Sequence, residues 1–179
     1  MSKEIVLLRG VTPTGQNRIP KMSYLAEILQ EAGFEEVKTY IQSGNVILRT
    51  EKTDEEIQKL VHDVIYDKIG ADLAVIVKTP HQLERAVTEQ PFDNSFDRSR
   101  VHLVFTNERI VQDKLAKLLQ EDLGDEKIVQ GDECLYLYLP RDAKKKRWNT
   151  NFLEKRLGIR ATMRKLNVVS RLSELGEEQ

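Results

Sequence analysis

Cysteine occurs once in the 179 residues, at Cys134, so no internal disulfide can form and a thiolate zinc site lacks ligands. Cys134 follows Glu133 and has no cationic neighbour in sequence to favour a thiolate, which points to a buried or edge cysteine and not to a nucleophile. Long apolar runs are missing too: none approaches the roughly 18 residues that a membrane helix needs. The opening Met1-Ser2-Lys3-Glu4 leads only into Ile5 to Leu8 before Arg9 intervenes, so it has no signal-peptide core. The expectation is a cytoplasmic protein with no membrane partner. An excess of one charge is absent as well. Lys plus Arg (28) nearly balances Asp plus Glu (29), and a net charge of −1 gives no global pull toward nucleic acid or anionic lipid. His62, His81 and His102 are scattered, with no second ligand at helical or strand spacing, so no metal is expected. No Walker loop, dinucleotide fingerprint or G-x-S-x-G elbow occurs. No cofactor is expected, and no residue is assigned a catalytic role.

What is present is the balance of an ordinary globular protein, 40% hydrophobic and 32% charged, on a chain long enough to bury a core. The apolar stretch Glu4 to Arg9 predicts a first strand, and Met22, Leu25, Ile28 and Leu29 predict a helix over about 20–32, stopped at Gly33. Strands are expected over 37–41 and 46–48, joined by a hairpin turn through Gln42, Ser43, Gly44 and Asn45 in which Gly44 takes positive φ. Asp54 is expected to cap a second helix ending at Gly70, and 73–77 reads as a fourth strand. A connector helix over about 80–89 and a loop follow. The order then repeats: strand 101–106, helix near 111–119, strands 127–130 and 134–139, helix about 144–157, and a short extended segment 159–162. A last helix spans about 165–175.

The fold class expected is therefore α+β, with two tandem ferredoxin-like βαββαβ halves and antiparallel sheets, a connector helix and a C-terminal helix. The divisions are 1–79, 80–98 and 99–179. The competing arrangement is one mixed sheet in which strands of both halves interleave. Strands such as Ile5 to Leu8 and Leu73 to Val77 are apolar at both parities, so both faces of the sheets must be covered, by packing of the halves or by a second copy of the chain.

In this topology the first and third strands are antiparallel neighbours, which brings the loop after Arg9 against the turn before Val46. Arg9, Gly10, Thr12, Thr14, Asn17, Arg18, Ser43 and Asn45 then gather at the start of the first helix, where unpaired N–H groups and two arginines suit an anionic small molecule or nucleotide. The same residue types also satisfy the internal hydrogen bonds of a tight loop, and that structural reading stands beside the functional one. The equivalent edge of the second half, with Asn107, Glu108, Gly131, Asp132 and Glu133, is acidic. The alternative function is a nucleic-acid-binding or assembly module. It would use the basic cluster Lys144-Lys145-Lys146-Arg147 beside Trp148, with Tyr136 and Tyr138 on a strand as a partial stacking platform.

The segments Ile5-Val6-Leu7-Leu8-Arg9-Gly10, Asn17-Arg18-Ile19-Pro20 and Thr39-Tyr40-Ile41-Gln42-Ser43-Gly44-Asn45-Val46 resemble a widespread bacterial family of unknown function. Leu135 to Pro140, Phe152-Leu153-Glu154, Leu157-Gly158 and Ala161-Thr162 to Asn167 resemble it too. The resemblance implies a duplicated ferredoxin-like arrangement and brings no activity, substrate or cofactor. Members usually carry Asn at the position of Thr12 and Gly at that of Thr14. They also carry an Arg-Asn-Trp-Asn-Thr pattern where this chain has Arg164-Lys165-Leu166-Asn167-Val168, so Arg164 and Asn167 alone carry over as secondary candidates.

Overall fold

The computed structural model describes residues 1–122, 124–144 and 148–178. Its first part runs β1 (Ser2–Arg9), α1 (Met22–Glu31), β2 (Glu35–Tyr40), β3 (Asn45–Thr50), α2 (Asp54–Ile69) and β4 (Ala74–Lys78). After α3 (Pro80–Thr88) and a 3-10 turn at Arg98–Arg100, the order repeats as β5 (Val101–Thr106), α4 (Gln112–Leu119), β6 (Lys127–Gln130), β7 (Leu135–Tyr138), α5 (Thr150–Leu157) and β8 (Ala161–Lys165). The last helix is α6 (Leu166–Glu177).

The strands form two separate four-stranded sheets of order β2-β3-β1-β4 and β6-β7-β5-β8, with every pairing antiparallel. This is the tandem ferredoxin-like arrangement, and it replaces the interleaved alternative. Each sheet places its first strand in the middle, because two split βαβ crossovers leave that slot to the strand that starts the unit. By contact the chain divides into two compact units, one of Met1–His81 with Leu172–Gln179 and the other of Gln82–Arg171.

In the first unit one parity of the sheet, Val6, Leu8, Val46, Leu48, Val75 and Val77, packs with Leu25, Ile28 and Leu29 of α1 and Ile57, Val61 and Ile65 of α2. The opposite parity is also buried: Ile5, Leu7, Ile47 and Ile76 are at most 3% exposed. The doubly apolar strand pattern thus has its physical counterpart at the central strand. Part of that second face belongs to the end of α6, where Gly176 lets the helix lie close. A Cβ there would stand 2.8 Å from Pro80 Cβ and 3.2 Å from Ile5 Cδ1.

In the second unit Val104, Leu135 and Leu137 pack with Leu115 and Leu118 of α4 and Leu153 and Leu157 of α5. Tyr136, on the other parity, is buried and donates its hydroxyl to the Ala86 carbonyl at 2.6 Å, and burial pushes its pKa far up.

Several boundaries differ from expectation for local reasons. Thr53 caps α2, and Asp54 is the first helical residue. Thr53 Oγ1 accepts from the Glu56 amide at 3.3 Å while Glu56 Oε1 accepts from the Thr53 amide at 2.9 Å, a reciprocal capping box. The hairpin turn is 41–44, since Asn45 already pairs with Tyr40 and Leu7. The helix expected from about 144 starts at Thr150, where Asn149, itself extended, caps it: its Oδ1 accepts from the Phe152 amide at 2.9 Å. Of the basic cluster, residues 145–147 lie outside the described residues, and Lys144 precedes the helix. The final strand is longer and later than 159–162, and that places Arg164 inside the sheet opposite Leu103.

Glu4 is a carboxylate in this interior. It is 7% exposed beside Leu48, and among the described residues only Ser2 Oγ donates to it, at 3.1 Å. Burial raises its pKa above the ordinary value, with the charge of Asp54 adding to the shift. A raised carboxyl pKa means that the folded state holds its proton longer than the unfolded chain does. The stability cost of ionising Glu4 is therefore absent below the unfolded pKa and grows as pH rises through the folded one. Glu4→Gln should accordingly stabilise the protein at pH 8 and change little at pH 4, as read by urea unfolding at both pH values. A variant less stable than wild type at pH 8 would contradict this account.

Candidate functional site

Antiparallel pairing of β1 with β3 decides where the polar loops go. The ladder runs from Ser2 opposite Thr50 to Leu7 opposite Asn45, so the end of β1 and the start of β3 share one edge of the sheet. Past Asn45 the Leu8 amide donates to the Gly44 carbonyl at 2.9 Å, fastening the 41–44 turn over the start of the 10–18 loop. Gly44 makes this possible twice over. Its φ is +82°, and a Cβ there would come within 2.9 Å of Leu8 Cβ and 3.0 Å of Val11 Cγ2. Gln42 Nε2 adds a bond to the Ile19 carbonyl at 3.3 Å.

Between the turn and the loop lies a cleft of about 620 Å³, within the range of small-molecule sites. Thr12, Arg18, Gln42 and Ser43 line its polar side, and Val11, Pro13, Ile19 and Ile41 its apolar side. Among the described residues no acidic side chain lines it. Arg18 is exposed, and among the described residues its guanidinium has no carboxylate or hydrogen-bond partner; only its backbone amide is engaged, by Gly15 O at 3.3 Å. The helix α1 begins three residues after Ile19. Its N-cap, Lys21, gives no side-chain hydrogen bond, and no acidic residue stands in its first turn, so the partial positive charge of the helix start is left uncompensated there.

The expected residues divide in two. Thr12, Arg18 and Ser43 line the cleft, whereas Arg9, Gly10, Thr14, Asn17 and Asn45 are not among its lining residues. Asn45 is fully buried, and its Nδ2 donates to Tyr40 O at 3.0 Å and Ser43 Oγ at 2.9 Å, which holds the turn together. Asn17 Oδ1 accepts from the Asp72 amide at 3.0 Å, and Thr12 Oγ1 donates to Thr14 O at 2.8 Å. The Thr12 amide goes to Asn17 O at 3.1 Å. The loop amides of Thr12 and Arg18 are therefore spent internally, and an anion here would be met by side chains. Arg9 is half-buried in β1 opposite Ala74. Arg164 and Asn167 belong to the second unit. There Arg164 is buried, donating to Thr162 Oγ1 and to Met163 O, while Asn167 is exposed on α6.

Sequence reasoning missed Ile41. It left β2 for the turn and adopts φ +50°, a left-handed conformation that a β-branched residue enters at a cost of about 1–2 kcal/mol. It also missed the His62 contacts that support the loop from below. His62 Nε2 lies 2.8 Å from Asp72 Oδ1 and Nδ1 3.2 Å from Asp63 Oδ1, and Asp72 in turn holds Asn17.

The features proposed for nucleic acid are differently placed. Trp148 is 5% exposed and packs edge-on against Phe152 at 5.1 Å. Tyr138 lies 4.9 Å from Phe96 and 5.6 Å from Phe92, ring centroid to centroid, within an aromatic cluster.

A model of the family described as "Protein of unknown function (DUF1697)" matches residues 1–136, and the chain belongs to that family. No curated protein matches it by sequence. Among solved structures, the conserved bacterial protein SP0830 from Streptococcus pneumoniae is similar over 99% of both chains, with a TM-score of 0.73 at 18% identity. At that identity the likeness concerns the fold. Among the described residues no helix is long and apolar enough to cross a membrane.

Two measurements check the junction. Gly44→Ala combines left-handed strain with overpacking against Leu8 and Val11, and should lower unfolding free energy by roughly 2–4 kcal/mol in urea titration. A loss within experimental error would mean that the turn is not fastened as described. His62 should titrate above the ordinary histidine value, because hydrogen bonds to Asp72 first and Asp63 second favour its charged form. The corresponding stability is present at low pH and lost as pH rises through the raised pKa, so His62→Gln should destabilise at pH 5.5 and not at pH 8.5. An NMR titration midpoint at or below that of a free histidine would count against it.

Proposed function

We propose that this DUF1697 protein binds an anionic small molecule or nucleotide in the cleft between the 10–18 loop and the 41–44 turn. The observation that carries the reading is Arg18, a cation with no charge partner among the described residues, on a cleft that no acidic side chain lines. An arginine used for folding is ordinarily committed to a carboxylate or a carbonyl, as Arg85 is to Glu133 at 3.0 Å and Arg100 to the Leu139 carbonyl at 2.7 Å. Here the fork-shaped donor faces a space large enough for a ligand, next to the start of α1. Guanidinium geometry suits phosphate and carboxylate oxygens, which it meets with two parallel N–H bonds. Gln42 Nε2 gives one hydrogen to Ile19 O and has a second to give. Arg9 is proposed as background positive charge at the same sheet edge, outside the lining.

The test is thermal unfolding of the full chain with inorganic phosphate, pyrophosphate and AMP. A ligand present at about 100 times its dissociation constant adds roughly 2.7 kcal/mol and should raise the melting temperature by several degrees. Arg18→Gln should leave the ligand-free melting temperature unchanged, since the side chain has no partner to lose, and should abolish the shift. Absence of any shift at millimolar ligand, or an equal shift in Arg18→Gln, would overturn the reading.

A further inference from the structure

The apolar side of the cleft is not explained by an anion alone. A phosphate ion would leave most of a volume of about 620 Å³ to water. Two of the apolar lining residues have reasons within the fold: Ile19 is 2% exposed in the core of the first unit, and Val11 packs against that core. Ile41 has none. It is 49% exposed, so its side chain gains little from folding, and its φ of +50° suits glycine or asparagine far better than a β-branched residue. Folding alone disfavours isoleucine here on both counts. Strained, solvent-facing side chains of this kind belong with ligand contacts, where the surrounding turn over-determines the backbone. The turn does so: Asn45 bonds Tyr40 O on one side of Ile41, and the Leu8 amide holds Gly44 O on the other.

We infer that the cleft takes an anion bearing a flat apolar or aromatic group, as in a nucleotide or an aryl phosphate, with its charged end at Arg18 and its flat group laid on Ile41 and Pro13. This rests on the anion reading above and names the class of ligand for the same site. Ile41 is then a specificity-determining residue: it contributes nothing to holding the charge and discriminates ligands by what the charge is attached to. Its exposed face offers to a ring the apolar area that the protein's own core does not use.

The experiment compares methyl phosphate, phenyl phosphate and AMP by isothermal titration of the full chain, then repeats the series on Ile41→Asn and Ile41→Gly. Both substitutes tolerate the left-handed backbone, so both variants should melt no lower than wild type. Wild type should bind phenyl phosphate and AMP about tenfold more tightly than methyl phosphate, and each variant should lose about fivefold for the two aromatic ligands with methyl phosphate unchanged. Equal affinity of wild type for all three, or an equal loss for all three in the variants, would overturn the role of Ile41 while leaving the anion site standing. If wild type binds none of them, the anion reading itself falls and this inference with it. Should one variant fail to fold, the other and the wild-type preference still decide.

Discussion

The hydrogen bond from the Leu8 amide to the Gly44 carbonyl is the constraint on which the site depends. It carries the β1–β3 ladder one step past its last Cα pair, into the turn, and it fixes a turn from one hairpin over a loop that belongs to another connection. Backbone bonds of this kind need both partners at van der Waals distance, and only a residue without a side chain at Gly44 allows it, given Leu8 Cβ and Val11 Cγ2 on its open side. The cleft, the placement of Arg18 at its mouth and the exposure of Ile41 all follow from the loop and the turn being held at that separation. The central position of β1 makes the arrangement rigid, since β1 is paired on both edges and buried on both faces.

A second support acts on the loop from the other side. Asn17 is tied to the Asp72 amide, Asp72 to His62, and Gln16 Nε2 to the Gly70 carbonyl at 3.1 Å, so the 10–18 loop is bonded to the segment that joins α2 to β4. These are exposed contacts, individually weak and screened by solvent. Their effect is to order a polar loop in which the Thr12 and Arg18 amides are already spent internally, so that the order of the loop rests on contacts within the protein. A site prepared in this way loses less entropy on binding than a loop that must be ordered by its ligand.

How much of this was legible in the residues depended on whether local preference and tertiary structure agreed. The element order, the central β1 and the positive φ of Gly44 follow from periodicity and from glycine's freedom, and there the two agree. The start of α5 was misplaced because a run of lysines and arginine reads as a helical surface, whereas the Asn149 cap, a smaller signal, sets the boundary. At the start of α2 two cap signals stand side by side, Thr53 with Glu56 three residues on and Asp54 alone, and the reciprocal pair of bonds decides for Thr53. The place of Arg18 on the cleft was legible because strand order alone brings its loop to the turn. Asn17 and Asn45 have the same composition signal and turned out to serve the loop and the turn, a distinction that only hydrogen-bond geometry makes. Ile41 was not legible at all: an isoleucine after a strand reads as more strand, and nothing in its type announces a left-handed backbone.

The two units also explain each other. The second repeats the topology of the first, so the loop after β5 and the turn between β6 and β7 are the counterparts of the 10–18 loop and the 41–44 turn. Its acidic residues there are committed to structure. Glu133 and Asp132 meet Arg85 at 3.0 Å and 3.6 Å, and Glu108 accepts from the Arg160 amide at 2.7 Å. At this edge Arg85 is paired with carboxylates of the same unit, and an anion reaching it from solvent would have to displace them. The first unit presents the inverse case, a cation on a cleft with no carboxylate among its described lining residues. Duplicated halves under one folding constraint can diverge wherever the fold is indifferent to side-chain identity, and the loops at this sheet edge are such a place. With the same backbone frame the two edges therefore differ in kind: in the second unit Glu133 and Asp132 meet Arg85, whereas in the first Arg18 stands, among the described residues, without a carboxylate partner.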